Sequence, residues 1–464
     1  MTEKAEFERL FNPSSVAVVG ASNEIFKSGA RFFRGLMLSG FKGALYAVNP
    51  NEPVVFQQQS FRSVADIPGD IDLAILAVPA RAIPQVMADC AKKRVHFAIV
   101  HSAGFSELGP EGKELEKEML RQAALGGTRI IGPNCMGIYV PAARINMVAG
   151  TSDAWDAGGV AFVGQSGWVT ENTIVNGQER GLCFSKVVSI GNQSDVTIEE
   201  LIEYFGEDPA TEVIAFYCEG FKDGRRFVQT ARRVSAKKPI VVWKGGRSSG
   251  GARAASSHTG SLAGNGAIMD DVLRQAGAVI ARDLDDLMDY MVGFSSPVMP
   301  PGNRVGLLVE AGGGAVSGCD AAEQLGLATP QLSEQAQKDL VKTLTGIIPP
   351  FASPRNLVDI VWSPAKDADK LFSTCSRIIL AETDAVVILN YINYDDAFAK
   401  AMAALRDETG KPIMVVPGHA IERRSGMALL TKHGIPAFTT PRNALRVLAA
   451  MLEHARRRQE GRRA

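Results

Sequence analysis

One histidine stands out by its surroundings. His258 lies in ARAASSHTGSLAG, and fifteen of the twenty residues from Ser248 to Ala267 are Gly, Ser or Ala. Side chains this small build no packed element, so the stretch predicts a long loop, and long loops in compact domains commonly carry function. A neutral imidazole is a competent nucleophile near pH 7 and can hold a phosphoryl group covalently. Such a group needs a cradle for its negative charge. Two strand-to-helix junctions offer one: Gln165-Ser166-Gly167 in VAFVGQSGWV, and Gly312-Gly313-Gly314 in VGLLVEAGGGAVS. Each should present backbone N–H groups at the positive end of a helix dipole. The imidazole also needs a carboxylate to accept its other ring N–H and fix the tautomer. Glu219, at the end of EVIAFYCEG, is placed for that role. Its competing reading is an acid favoured in the first turn of a helix.

A second constellation lies upstream. VAVVGASNEIFKSG resembles a nucleotide-binding turn but lacks G-x-G-x-x-G: Gly20 is followed by Ala21 and Ser22, and the next glycine is Gly29. The following strand ends in Asn49-Pro50 and offers no acid for ribose hydroxyls, which argues against a dinucleotide. What remains is an anion-binding turn with Lys27 nearby. Val78-Pro79, Ser102-Ala103-Gly104 and Gly132-Pro133-Asn134-Cys135 also put small or imino residues at strand ends. Each alone reads as an ordinary turn; together they predict a binding crevice along the carboxyl edge of a parallel sheet.

The elements that must hold these residues read as short apolar runs alternating with helix-length segments, the pattern of doubly wound α/β modules. One series runs through Ser15–Gly20, Ala44–Asn49, Ile71–Val78, Val95–His101 and Thr128–Ile131. A second comprises Val160–Val163, Ser185–Ile190, Glu212–Cys218 and Pro239–Trp243. A third comprises Arg304–Val309, Asp384–Leu389 and Pro412–Val416, closed by a helix over Asn443–His454. The modules expected are 1–145, 146–298 and 299–464, and the likeness of the two glycine-rich junctions suggests that the last two are related. Arg456, Arg457, Arg458, Arg462 and Arg463 read as a solvated helix end.

Composition narrows the classes. The chain has 464 residues, 46% apolar and 22% charged, with fifty basic residues balancing fifty acidic ones. That excludes disordered and fibrous classes and supplies no basic excess for nucleic acid. Six cysteines without metal-type spacing read as reduced thiols. No apolar run reaches a spanning length, and Met1–Arg9 does not read as a signal peptide, so a cytoplasmic protein away from membranes is expected.

VAVVGAS, AVNP, AVPA, SAGF and IIGPNCMG, with VGQSG, SIGNQSDV, YCEGFKDGRRF and ASSHTGSLAG, resemble in identity and order the nucleoside-diphosphate-forming acyl-CoA synthetases, the superfamily of succinyl-CoA synthetase. The resemblance runs from Asn12 to about Leu452. It implies a Rossmann-like coenzyme A-binding domain followed by two flavodoxin-like doubly wound domains. By position, His258 would be phosphorylated and Glu219 would orient it. Gly20, Ala21, Ser22, Lys27, Asn49, Pro50, Val78, Pro79, Ser102, Ala103 and Gly104 would line the coenzyme A site, with Asn134 and Cys135 near the thioester. Gln165, Ser166 and Gly167 would cradle phosphate, as would Gly312, Gly313 and Gly314. Where the succinate-specific branch has Gly-Lys, this chain has Asn51-Glu52, without the cation. Trp168 stands where many relatives carry a small residue; it reads either as a wall that narrows the acyl pocket or favours an aromatic acid, or as simple packing. No segment is left for an ATP-grasp module, so the resemblance is to the α subunit of the two-subunit, ADP-forming type. It implies an ATP-grasp β subunit handling ATP/ADP and Mg2+, a small carboxylic acid and its acyl-CoA as substrates, and a homodimer within an α2β2-type assembly. The alternatives are a coenzyme A-binding regulatory module without phosphoryl transfer and, more remotely, a nicotinamide oxidoreductase.

Overall fold

The computed structural model describes residues 3–148, 155–251, 253, 266–310, 312–347, 353–361, 367–390, 395–418 and 423–461. The chain forms two compact units, residues 1–175 with 184–284, and residues 176–183 with 285–464.

The first unit holds two sheets. β1 (Ser15–Val19), β2 (Ala44–Val48), β3 (Val54–Val55), β4 (Gln58–Phe61), β5 (Leu73–Leu76), β6 (Phe97–Val100) and β7 (Arg129–Ile131) form one, in the order β3-β4-β2-β1-β5-β6-β7. Every pairing is parallel except β3 with β4 at the edge. The parallel strands alone run 3-2-1-4-5-6, the doubly wound order in which the connection reverses direction beside β1. β1, β5 and β6 are buried along their whole length, as strands covered on both faces must be.

The second sheet comprises β8 (Gly137–Val140), β9 (Ile145–Asn146), β10 (Val160–Gly164), β11 (Phe184–Ser189), β12 (Val213–Cys218), β13 (Ile240–Lys244) and β14 (Val279–Ala281). Its order is β14-β13-β12-β10-β11-β8-β9, so the five parallel strands run 2-1-3-4-5, the flavodoxin order. β8 joins β11 antiparallel. The sequence ends the first module at residue 145, whereas the chain is already paired with the second sheet at Gly137. Positive φ at Gly132 (103°), Asn134 (57°) and Gly137 (90°) turns it there so early.

The second unit is built on β15 (Val305–Val309), β16 (Val358–Asp359), β17 (Ala385–Asn390) and β18 (Ile413–Pro417), all parallel, in the order β16-β15-β17-β18. Ala437 bridges Val415 in parallel and marks a fifth position. This is again 2-1-3-4-5. β10 and β15 are each the first of the parallel strands of their sheet, and each leads into a helix, Gly167–Glu179 and Gly312–Gln324. The Gln165 N–H donates to Tyr217 O (3.0 Å), and the Glu310 N–H donates to Leu389 O (3.1 Å) at the matching place. The likeness read from the two glycine-rich junctions is thus a likeness of fold.

Within the first unit the N-terminal helix Glu3–Phe11 seals the seam between the sheets. Phe7 packs on Phe97 and Tyr204 at ring distances of 5.7 and 5.2 Å, and Phe11 packs on Tyr204 and Phe205 at 5.1 and 5.8 Å. Tyr204 and Phe205 belong to the helix Ile198–Glu207, whose start is fixed by a Thr197–Glu200 capping box. Arg129 then bridges Asp195 (3.1 Å) and Glu200 (2.9 Å) across the same seam. All six cysteines are free thiols. No helix among the described residues is long and apolar enough to cross a membrane.

The closing helix Pro441–Gly461 of the second unit buries His454, edge-on to Phe294 at 5.7 Å, and leaves its Nε2 without a hydrogen-bond partner. Burial, and then the neighbouring Arg458 and Arg457, push its pKa down from 6.5 to about 4. The unfolded chain takes up a proton that the folded chain refuses, so this group's contribution is complete above pH 6.5 and is lost as pH falls towards 4. The loss amounts to about 3 kcal/mol at most. His454→Leu should flatten the pH dependence of the urea midpoint of the second unit over that window.

Candidate active site

The residues named for the crevice all fall at the carboxyl ends of parallel strands of the first sheet. Gly20 follows β1, Asn49 and Pro50 follow β2, Val78 and Pro79 follow β5, Ser102 to Gly104 follow β6, and Asn134 and Cys135 follow β7. Hydrogen bonds stitch these ends together. The Gly20 N–H donates to Val48 O (2.9 Å) and the Asn134 N–H to Ser102 O (2.9 Å), and the Ser102 hydroxyl donates to Val78 O. Gly20 has φ 87°, and a Cβ there would lie 2.4 Å from Ala77 O, so only glycine fits.

The loop after β1 is organised by a residue that sequence reasoning treated only as a missing cation. Glu52 accepts from the Ser22 hydroxyl (2.7 Å), from the Asn23 N–H (3.0 Å) and from Asn49 Nδ2 (3.1 Å). The bonds from Ser22, the larger cause, and from Asn23 hold its carboxyl below the usual range. Ser22 and Ala21 are buried, whereas Lys27 is exposed and pairs with Glu24 at 2.6 Å.

Crevice and first junction share one cleft of about 210 Å³. His101, Asn134, Cys135 and Met136 line it from the first sheet; Ser166, Gly167, Trp168 and Asn192 line it from the second. The packing is tight. A Cβ on Gly191 would lie 2.1 Å from Pro133 O, and one on Gly167 would lie 2.7 Å from Met136 Cγ. At the start of the helix Gly167–Glu179, the Thr170 N–H donates to Ser166 O (3.0 Å) and the Val169 N–H reaches Ser166 Oγ at 3.4 Å. Gly167 and Trp168, which line the cleft, are the first two residues of a helix of thirteen residues, where intrahelical acceptors for the N–H groups are lacking and the dipole is positive. His101 donates through Nδ1 to Cys135 O (2.7 Å), so its Nε2 accepts from the Ser28 hydroxyl (3.1 Å). Burial, helped by the Arg31 charge, lowers its pKa and keeps the ring neutral at pH 7. The Cys135 thiol turns towards Val100 O, and burial pushes it up to about 12, far from a thiolate.

Glu219 stands at the flavodoxin-type switch point, beside the first junction. Its N–H donates to Gln165 Oε1 (2.7 Å), its backbone O accepts from Lys244 Nζ (2.7 Å), and its Oε1 accepts from Tyr217 Oη (3.3 Å). It is not a helix-start acid: the next helix, Gly224–Ser235, is capped by Asp223. Gln165 therefore spends its amide oxygen on placing Glu219. Burial draws the Lys244 pKa below the usual lysine value. His258 lies outside the described residues. The chain enters that segment past Arg247 and leaves it at the helix Gly266–Gln275, and an Arg247–Asp270 ion pair ties the two shoulders.

The comparisons with known proteins bear on this arrangement. Residues 14–141 match the CoA binding domain model and residues 157–294 the succinyl-CoA ligase like flavodoxin domain model. The α subunit of Pyrococcus furiosus acetate–CoA ligase [ADP-forming] II is 34% identical over 456 residues, covering 96% of this chain and 97% of that one. The α subunit of its isoenzyme I is 35% identical, with 96% of each chain covered. The dinucleotide-forming acetyl-coenzyme A synthetase 1 of Ca. Korarchaeum cryptofilum, solved with phosphate and ADP, superposes with a TM-score of 0.87 at 34% identity, covering 98% of both chains. The chain belongs to the ADP-forming acetate–CoA ligase α-subunit family.

For this member of the α-subunit family, the second junction differs from the first. Gly312 opens the helix Gly312–Gln324, but a Cβ there would lie 3.3 Å from Asp359 Oδ2, so a carboxylate stands beside that helix end. Gly313 is open, and Gly314 packs on Leu389. Sequence reasoning missed three residues of the site. His101 and Lys244 are the last polar residues of apolar strand runs, a legible signal. Asn192, in SIGNQSDV, donates to Glu107 Oε2 (2.7 Å), a partner far away in sequence.

Proposed function

We propose that this chain is the α subunit of an ADP-forming acyl-CoA synthetase and carries the acyl and phosphohistidine steps. The observation that supports this most is the shared cleft, in which the strand ends of a coenzyme A-type sheet meet the open helix end at Gly167 and Trp168. Gly20, Ala21, Ser22, Lys27, Asn49, Pro50, Val78, Pro79 and Ser102–Gly104 belong to the loops that would hold coenzyme A; the glycine-only turn at Gly20 lets the end of β1 close against Ala77 beyond β5.

The chemistry balances in three steps. Phosphate attacks the thioester carbonyl of acyl-CoA, held with its developing charge at the Ser166–Gly167 helix end, and coenzyme A leaves as the thiol. The imidazole of His258 then attacks phosphorus, the P–O bond of the acyl phosphate breaks, and the carboxylate departs. Glu219 orients the ring through its other N–H. Finally the phosphoryl group passes to ADP, held with Mg2+ on an ATP-grasp β subunit, and the imidazole is restored. Gly312 to Gly314 would cradle the phosphoryl group at its second station. Reversal makes acyl-CoA from acid, coenzyme A and ATP. The setting is a cytoplasmic α2β2-type assembly.

The test is labelling. The chain combined with a matching ATP-grasp subunit and γ-labelled ATP should acquire acid-labile, base-stable phosphate on this polypeptide, and acid plus coenzyme A should discharge it. Coenzyme A binding without label would instead establish a regulatory module.

A further inference from the structure

Nothing above fixes the acid, but the cleft does constrain it. The acyl carbonyl carbon is bonded first to the coenzyme A sulfur and then to phosphate oxygen. The rest of the acyl group must therefore lie in the cleft between the strand ends of β6 and β7 and the helix end at Gly167. Trp168 is the wall at that point. It is the second residue of the helix and lines the cleft, yet it is 64% exposed. A tryptophan serving as packing would be largely covered, as Trp243 is against Tyr217 at 4.8 Å; Trp168 has no ring partner among the described residues.

Among the described residues the cleft shows no cation of the kind a dicarboxylate needs. Among the described residues lining it there is no lysine or arginine, and His101 is neutral with both ring nitrogens engaged. A second carboxylate would be desolvated there without a counter-ion. The whole cleft measures about 210 Å³, against the ~150 Å³ of a cavity that admits benzene.

We infer that Trp168 is a specificity-determining wall and that the substrate is a monocarboxylic acid with a bulky flat apolar group, an aryl acid above all. This rests on the proposed function.

The experiment compares kcat/KM for phenylacetate, acetate and succinate in the complex with the ATP-grasp subunit, for the wild-type chain, Trp168→Gly and Trp168→Phe. Wild type should prefer phenylacetate and use succinate poorly. Trp168→Gly should lower the phenylacetate-to-acetate ratio by about tenfold or more, in the range over which apolar pocket contacts discriminate. Trp168→Phe should largely restore it. Phosphate labelling from ATP needs no acid and certifies that each variant is folded and competent. An unmoved ratio in a labelled Trp168→Gly chain, or a wild-type preference for succinate, overturns the inference while leaving the phosphohistidine reading standing. A wild-type chain that takes no label and activates no acid overturns that reading instead.

Discussion

His258→Asn is expected to bring acid-dependent ATP turnover of the reconstituted complex to background. Asparagine keeps a polar side chain of similar reach but offers an amide nitrogen whose lone pair is delocalised into the carbonyl, so no phosphoryl group can be carried. The informative measurement is a half-reaction. Exchange between acyl phosphate plus coenzyme A and acyl-CoA plus phosphate draws on the crevice and the Ser166–Gly167 helix end, not on the imidazole. It should persist in the variant while label from ATP disappears. Loss of both would point to a damaged fold; retention of full ligation would remove the phosphohistidine from the scheme.

The second large effect concerns stability. Lys186 on β11 pairs with Asp208 at 2.6 Å, with side chains only 10% and 4% exposed. Burial alone would raise the Asp208 carboxyl, but the Lys186 ammonium and the Thr211 hydroxyl (2.6 Å) overcome it and hold the pKa below its usual value. Lys186→Met removes the cation and leaves a buried carboxylate, at a cost of about 3–5 kcal/mol. The thermal midpoint of the first unit should fall by on the order of 10 °C. The pH response should also change sign. In the wild type the depressed pKa makes this group's contribution complete above the unfolded value of 3.8 and lost as pH falls below it. In Lys186→Met, burial governs, and acidification through the carboxylate range should recover stability. Lys186→Met combined with Asp208→Leu should restore much of the loss at pH 7, and a double variant as unstable as the single one would contradict the account.

Much of this molecule was legible in its residues because parallel strands buried on both faces announce themselves as apolar runs. Every strand of the three series anticipated from sequence is present, but the orders 3-2-1-4-5-6 and 2-1-3-4-5 were not legible, because one strand–helix alternation serves both and β4, β14 and β16 lie outside those series. What escaped was short or long-range. β3, β9 and β16 have two residues each, too few for any period, and β8 is an antiparallel strand reached through a turn whose positive φ angles carry no pattern. At the site, Gly20 was readable because backbone geometry demands glycine there. Glu52 was not, because its meaning lies in bonds to Ser22, Asn23 and Asn49 rather than in its own type. Gln165 likewise places Glu219, some fifty residues downstream, through a single amide oxygen.

Gln165 and Glu310 occupy the same place in two copies of one sheet plan, the first with a neutral amide and the second with an acid. One backbone plan therefore sets an uncharged side chain ahead of one helix and an ionisable one ahead of the other, so the two junctions are not interchangeable as anion sites.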